Sequence, residues 1–226
     1  MNRTVVDLLA GNESHVRAFG DRFDDLQHAQ HPDAVTVCCS DSRVLQDAMW
    51  GYDEPGHVFT VGNIGNRVVQ RTESGEAVSG DVLYPIAHTD TDTAIVVGHT
   101  GCGAVTATYD TLTGDVSEPP GITHCLSILK PRLAPGVESL PDGLDRSAAV
   151  NHLVEYNVDR QVEFLLDSPD VPADTTVVGA VYDFMDVYTD HRGEIQIVNV
   201  DGETDTDAHR AEHPEIDDRI RRLWEY

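Results

Sequence analysis

Two short stretches of the sequence contain the residue types that could do chemistry. Cys39, Asp41 and Arg43 follow one apolar run, and His99 and Cys102 follow a second run about sixty residues later. Two thiolates and one imidazole form a ligand set typical of catalytic zinc, which keeps a fourth position for water, substrate or a carboxylate. The sequence therefore predicts a zinc site. Asp41 is the candidate for the fourth position, and Arg43 is placed to draw that carboxylate into an ion pair.

The two apolar runs have to bring these side chains together. Residues 34–38 and 93–97 are short and rich in β-branched residues, which predicts buried parallel strands. In an open α/β sheet, functional residues collect beyond the carboxyl ends of such strands. If the two strands are neighbours, the five side chains converge on one point. We therefore predict an α/β fold with a parallel-centred sheet flanked by helices.

Further elements follow from the hydrophobic pattern. Strands are expected at 58–61, 175–182 and 194–200, and helices at 79–89, 104–111, 122–130 and 147–166. The helix at 122–130 is kept short because residues 114–146 contain five prolines.

The chain is expected to form a single zinc-dependent α/β domain over residues 1–200. Its first part, residues 1–27, is predicted to be a helical arm of two short helices, the second capped by Ser14. Residues 201–226 are strongly acidic and are interpreted as a solvated tail with a short helix from Pro214.

The charge balance narrows the classes of partner. Forty acidic residues against 15 basic ones give a net charge of −25, and Lys130 is the single lysine. Such a chain repels nucleic acid and anionic membranes, so neither is expected as a partner. Dense carboxylates with almost no lysine favour adaptation to a cytoplasm of high salt, where the charges are screened.

The sequence also suggests a compartment. No apolar run is long enough to cross a bilayer, and the first residues do not resemble a signal peptide, so a cytoplasmic location is predicted. Four cysteines in a chain of 226 residues do not make a disulfide framework. They fit reduced thiols, two of them bound to metal, with Cys38 on the opposite side of its strand from Cys39.

At this point the residues match a known family. Cys39-Ser-Asp-Ser-Arg43 followed by Gly98-His-Thr-Gly-Cys-Gly103 resembles the paired signature of the β-class carbonic anhydrases. Either motif alone would be weak, whereas the pair is specific. The resemblance covers roughly residues 28–200 and includes similar segments at 54–59, 63–66 and 178–183.

The resemblance implies an activity: reversible hydration of carbon dioxide to bicarbonate and a proton, by attack of zinc-bound hydroxide. One zinc ion per chain would be held by Cys39, His99 and Cys102. Asp41 would accept the hydroxide's proton in a hydrogen bond, and Arg43 would keep Asp41 ionised and turned away from the metal. In a closed state, Asp41 would itself ligate the zinc.

The resemblance further implies a homodimer or a dimer-based oligomer. Gln30 would contact the substrate across the dimer, and Gly103 would place a backbone N–H near a substrate oxygen. Family members often have arginine at the position of Gly62, where it contributes to a bicarbonate site. That inhibitory site is therefore in doubt here, and Arg67 is the candidate substitute.

Two other functions stay open on the sequence. A hydrolase of carbon disulfide or carbonyl sulfide would keep every zinc ligand and differ mainly in how substrate reaches the metal. A non-catalytic domain could use the turn at 98–103 to bind an anion at a helix start, and it would not need the two thiolates.

Overall fold

The computed structural model of the chain describes residues 2–52, 54–114 and 116–225. The strands in these ranges are β1 (Ala34–Cys39), β2 (Val58–Asn63), β3 (Val69–Thr72), β4 (Gly75–Val78), β5 (Thr93–His99), β6 (Thr176–Asp183) and β7 (Glu194–Val200). The α-helices are α1 (Arg3–Phe19), α2 (Gly80–His88), α3 (Gly103–Thr113), α4 (Pro120–Glu138), α5 (Arg146–Leu166) and α6 (Thr206–Glu212).

A five-stranded sheet forms the centre of the fold. Its strand order is β2-β1-β5-β6-β7, with the first four strands parallel and β7 antiparallel to β6. β1 and β5 are neighbours, and their register pairs Val35 with Ala94 and Cys38 with Val97. Their carboxyl ends therefore lie side by side, and the predicted parallel-centred α/β fold is confirmed.

Helix α5 packs directly on the sheet because two glycines make room for it. A Cβ atom at Gly98 would lie 2.8 Å from methyl groups of Val154 and Val158, and one at Gly179 would lie 2.7 Å from Val158. Val158 and Val162 are fully buried in the core cluster. Burying each such side chain contributes about 1.5–3 kcal/mol, so this contact fixes α5 relative to β5 and β6.

The N-terminal arm differs from the prediction of two helices. α1 is one continuous helix capped by the side chain of Asn2, and a 3-10 turn, Gly20–Leu26, follows it. Ser14 lies inside the helix, where its hydroxyl accepts a hydrogen bond from Arg17. The prediction failed because a single glycine costs a helix only about 1 kcal/mol.

Helix α4 is much longer than the predicted 122–130. Pro120 occupies its first turn, where a missing N–H costs nothing, and Pro131 and Pro135 lie within it. Leu129 and Leu133 are fully buried. Apolar burial along this face therefore outweighs the proline penalty.

Two further elements were not predicted. The hairpin of β3 and β4 turns between Thr72 and Gly75, and Gly75 has a φ of +125°, which suits glycine. The second is α6, within residues 201–226. The short helix expected from Pro214 is present as a 3-10 helix, Pro214–Arg219. Ile220 and Trp224 beyond it are buried, so the prediction of a solvated tail was wrong.

Across the described ranges, no helix combines the length and apolarity needed to span a bilayer.

Candidate metal centre

Two strands and one helix carry the three candidate ligands. Cys39 is the last residue of β1, His99 is the last of β5, and Cys102 is the N-cap residue of α3. Their donor atoms all lie within 4.8 Å of one another, and all three residues are buried. Cys39 thus meets His99 and Cys102, sixty or more positions later in the chain, because parallel strands end at the same edge of the sheet.

The imidazole of His99 is fixed by its neighbour. Its Nδ1 lies 3.0 Å from the backbone oxygen of Thr100, so Nδ1 carries the proton and Nε2 offers a lone pair. Nε2 is buried and has no hydrogen-bond partner among the described residues. Leaving a buried polar atom without a partner costs free energy. A histidine that binds a metal typically donates from one ring nitrogen to a carbonyl or carboxylate and binds the metal through the other, and His99 has this arrangement.

The two thiols share a hydrogen bond. Cys102 Sγ donates to Cys39 Sγ over 3.8 Å. This bond lowers the pKa of Cys39, with His99 adding to the effect. The same bond and burial raise the pKa of Cys102, although backbone N–H groups at the start of α3 oppose that rise. The shared bond therefore favours the thiolate form of Cys39 over that of Cys102, and a bound cation would favour the loss of both protons.

This donor set fits zinc. Two sulfur atoms at about 2.3 Å from a tetrahedral ion stand about 3.8 Å apart, and the observed separation agrees. Two thiols with one imidazole leave the fourth position open for water, substrate or a carboxylate, as in catalytic rather than structural zinc sites.

Asp41 and Arg43 border the cluster. Arg43 donates from Nε to Asp41 Oδ1 at 2.9 Å and from a terminal nitrogen to Oδ2 at 2.7 Å. Its backbone N–H also donates to Oδ1. These bonds hold the pKa of Asp41 well below its usual range. Asp41 Oδ2 lies 3.7 Å from His99 Nε2, so an ionised carboxylate faces the point on which the ligands converge.

The end of β6 supplies residues that the sequence analysis missed. The Phe184 ring stacks on His99 with 5.7 Å between centroids, and the Arg43 guanidinium lies 4.7 Å from the same ring centroid. Asp183 is fully buried and accepts a hydrogen bond from Thr100 Oγ1. One signal could have found them, because β6 is parallel to β5 and ends at the same edge of the sheet.

The turn between His99 and Cys102 depends on Gly101. Its φ is +63°, and a Cβ there would lie 2.5 Å from the sulfur of Met185. The Gly101 N–H donates to Asn151 Oδ1 of α5 at 2.9 Å. The turn is therefore held from both sides, by α5 and by the segment after β6.

The remaining predicted residues are not members of the three-residue ligand cluster. Gln30 is exposed in the segment before β1. Gly103 begins α3 with open space where a side chain would be. Gly62 lies in β2 with Gln46 and Ser40 around its missing Cβ. Arg67 donates to the backbone oxygen of Ile64 and to Cys125 Sγ, so its guanidinium is engaged with α4.

Comparisons with known proteins agree with this site. The chain is 30% identical over 194 residues to the carbonic anhydrase of Pseudomonas aeruginosa, covering 86% of this chain and 84% of that protein. It is 32% identical to the Helicobacter pylori carbonic anhydrase over 94 residues, which are 41% of this chain and only 42% of that protein.

The fold also has solved counterparts. A tetrameric β-carbonic anhydrase of Sordaria macrospora superposes with a TM-score of 0.72 at 22% identity, covering 88% of this chain and 98% of that one. The family model described as carbonic anhydrase matches residues 34–189, a span that contains every candidate zinc ligand. The chain belongs to the carbonic anhydrase family and has the β-class fold.

Proposed function

We propose that the chain catalyses the reversible hydration of carbon dioxide to bicarbonate and a proton, with one zinc ion per chain held by Cys39, His99 and Cys102. One observation carries the proposal. Two buried thiols and an imidazole with a free Nε2 converge beside a carboxylate held ionised by arginine, in a chain of the carbonic anhydrase family.

Zinc, when bound, acts as a Lewis acid that lowers the pKa of a coordinated water. Asp41 accepts a hydrogen bond from the attacking water and aligns its lone pair with the carbon of the substrate. Arg43 keeps Asp41 ionised and turned towards the guanidinium. If that ion pair opened, Asp41 would be close enough to take the fourth position itself, which would close the site.

Two residues complete the proposed substrate site. The backbone N–H of Gly103 lies at the start of α3, where unpaired N–H groups stabilise negative charge, so it suits an oxygen of bicarbonate. Gln30 is exposed and would act on the site of a second subunit. Arg67 remains the candidate for a bicarbonate contact in place of the arginine absent at Gly62.

The proposed assembly is a homodimer or an oligomer of dimers. α1 has no buried residue, although Val5, Leu8, Leu9 and Val16 on it are large and apolar. An exposed apolar helix of this kind indicates a contact with a second copy. The solved Sordaria macrospora relative is described as tetrameric. Residues 1–200 would form the catalytic domain of each subunit, with the C-terminal segment, residues 201–226, packed on it through Ile220 and Trp224.

The proposed setting is a cytoplasm rich in salt. The net charge of −25 destabilises the folded chain by self-repulsion unless ions screen it. Cys38, Cys39, Cys102 and Cys125 are free thiols, which suits a reducing compartment. Thermal stability that rises steeply with KCl would support this setting.

The activity is tested by stopped-flow hydration of carbon dioxide with a pH indicator, on zinc-loaded protein in molar KCl. Fast turnover that is lost with Asp41→Asn or a chelator is the expected result. Asp33→Asn is a matched control, because Asp33 is an exposed carboxylate paired only with His57 among the described contacts.

Failure of this test separates the other functions. Zinc bound at one per chain without turnover would turn the proposal towards carbon disulfide and carbonyl sulfide, which are assayed in the same way through proton release. Anion binding that persists without metal in the Cys39→Ser, Cys102→Ser double variant would support the binding domain instead.

A further inference from the structure

The last part of the C-terminal segment, residues 220–225, is held against α5 and β7. Ile220 forms a bridge with Ile197 of β7, and Ile220 and Trp224 are buried. Arg222 donates to the backbone oxygen of Val198 and pairs with Asp159 of α5 at 2.9 Å. Because these contacts involve backbone and charged groups deep in the fold, the segment is an integral part of it.

Glu155 is the centre of this contact. It is a fully buried carboxylate on α5. Its Oε2 accepts from the Leu223 N–H at 2.8 Å, and its Oε1 accepts from the Trp224 N–H and lies 3.2 Å from the Arg222 guanidinium. A carboxylate without these partners would be costly in the core, so their number explains how the group is tolerated.

Glu155 also has a partner outside the C-terminal segment. The Tyr188 hydroxyl donates to Glu155 Oε2 at 2.9 Å. Tyr188 ends a stretch that we call the Phe184 loop, residues 183–188. Glu155 therefore connects the C-terminal segment with the segment that follows β6.

The Phe184 loop has its other end at the metal centre. Asp183 organises it by accepting from the backbone N–H groups of Met185, Val187 and Tyr188, at 3.0, 2.8 and 2.7 Å. The loop is thus a tightly bonded turn rather than a free one. Its Phe184 ring contacts both the His99 imidazole and the Arg43 guanidinium. The loop therefore joins Tyr188 to the groups around the ligands through a continuous set of contacts.

We propose that Glu155 is a positioning residue for the metal centre. Through Tyr188 it holds the Phe184 loop, so that Phe184 keeps His99 and Arg43 in their orientations. The inference rests on the proposed function for its effect on turnover, but its effect on metal retention does not depend on which substrate is used. Groups that orient metal ligands typically change metal affinity by about 10- to 100-fold when they are removed.

The test uses Tyr188→Phe, Glu155→Gln and the double variant, with Glu163→Gln as control. Glu163 lies on the same helix but is half exposed and pairs with Arg160. Two quantities are measured: the rate at which a chelator removes zinc, and kcat and KM for carbon dioxide hydration. The emission of Trp224 in a Trp50→Phe background reports whether the C-terminal segment stays docked.

If the proposal is right, Tyr188→Phe speeds zinc release about tenfold and lowers kcat several-fold at unchanged KM. Glu155→Gln has a similar effect. Zinc release and kcat in the double variant are close to those of Glu155→Gln, because both substitutions break the same hydrogen bond. Trp224 emission in Tyr188→Phe stays as in the parent, and Glu163→Gln changes nothing.

Two results overturn the proposal. One is zinc release that Tyr188→Phe leaves unchanged, which would make Glu155 a brace for the C-terminal segment only. The other is independent, multiplicative effects in the double variant. If Glu155→Gln does not fold, zinc release from Tyr188→Phe decides alone. Faster zinc release in a protein whose parent does not hydrate carbon dioxide would uphold the positioning role and reject the proposed function.

Discussion

Arg43 donates hydrogen bonds to both oxygens of the Asp41 carboxylate, two positions earlier in the chain, and the two form a bidentate ion pair. The planar guanidinium matches the carboxylate, so the pair fixes the direction of Asp41 as well as its charge. A protonated Asp41 would accept a hydrogen bond only through its carbonyl oxygen, and that bond is weaker than one to a carboxylate, so the ionised form suits the proposed mechanism.

The first prediction concerns Arg43→Lys. Lysine keeps the charge but cannot form the bidentate pair, so Asp41 loses its orientation and its pKa rises towards the usual range. We expect a loss of about 100-fold in kcat/KM with zinc content unchanged. Stopped-flow kinetics and metal analysis measure the two quantities.

Arg146→Lys is the matched control for this change. Arg146 makes the same bidentate contact with Asp110 at the surface, at 3.1 and 2.6 Å. Its replacement should leave kcat/KM near the parent value. Equal losses in the two variants would mean that the protein responds to a weakened ion pair in general, and Asp41 would have no special role.

The second prediction concerns removal of zinc. Without a cation, the Cys39 and Cys102 sulfurs are joined by one weak hydrogen bond, and His99 Nε2 has no hydrogen-bond partner within the described ranges. Binding of a ligand present at about a thousand times its Kd stabilises a fold by roughly 4 kcal/mol. We therefore expect a clear fall in Tm on chelation, reversed by added zinc.

Cys102→Ser should bind little zinc and show no such shift in Tm. Cys125→Ser is its control, because Cys125 is a partly exposed thiol on α4 that contacts Arg67. A chelator that leaves Tm unchanged in the parent protein would contradict the prediction.

The third prediction concerns Glu155 and pH. Burial raises the pKa of Glu155 from its ordinary value near 4.5 to about 7. Between these values the folded chain binds a proton that the unfolded chain does not. The contribution of Glu155 to stability is therefore fully present below about pH 4.5 and is lost as pH rises through about 7.

The free energy of unfolding of the parent, minus that of Glu155→Gln, should thus fall by on the order of 3 kcal/mol across this range. Asp41 contributes in the opposite direction, since its pKa is lowered, but it is present in both proteins and cancels. Denaturant unfolding at several pH values measures the difference. A flat difference would show that Glu155 has an ordinary pKa.

The ligands could be predicted from sequence because parallel strands impose their meeting place. Once the runs ending at Cys39 and His99 are taken as adjacent strands, the side chains just beyond them have to lie close together. No such rule connects Glu155 with Trp224, which are 69 residues apart and meet only through the fold.

Composition also misled the prediction for the C-terminal segment. Its many carboxylates suggested a solvated tail, yet Ile220 and Trp224 are almost fully buried. Two apolar side chains and the backbone contacts of Arg222 are enough to dock it, because most of the acidic side chains there can still face water. Average polarity cannot reveal which few residues point inward.

The fourth prediction concerns α1 and the oligomer. Leu8 is 70% exposed, on a helix that buries no residue of its own. In a dimer that covers this face, Leu8→Asp would place a charge in an apolar contact and shift the protein towards monomer. Ser14→Asp adds the same charge on the side of the helix facing away from Val5, Leu8 and Val16, and it serves as control. Light scattering should show a smaller mass for Leu8→Asp alone, and a parent protein that is already monomeric would rule out the dimer.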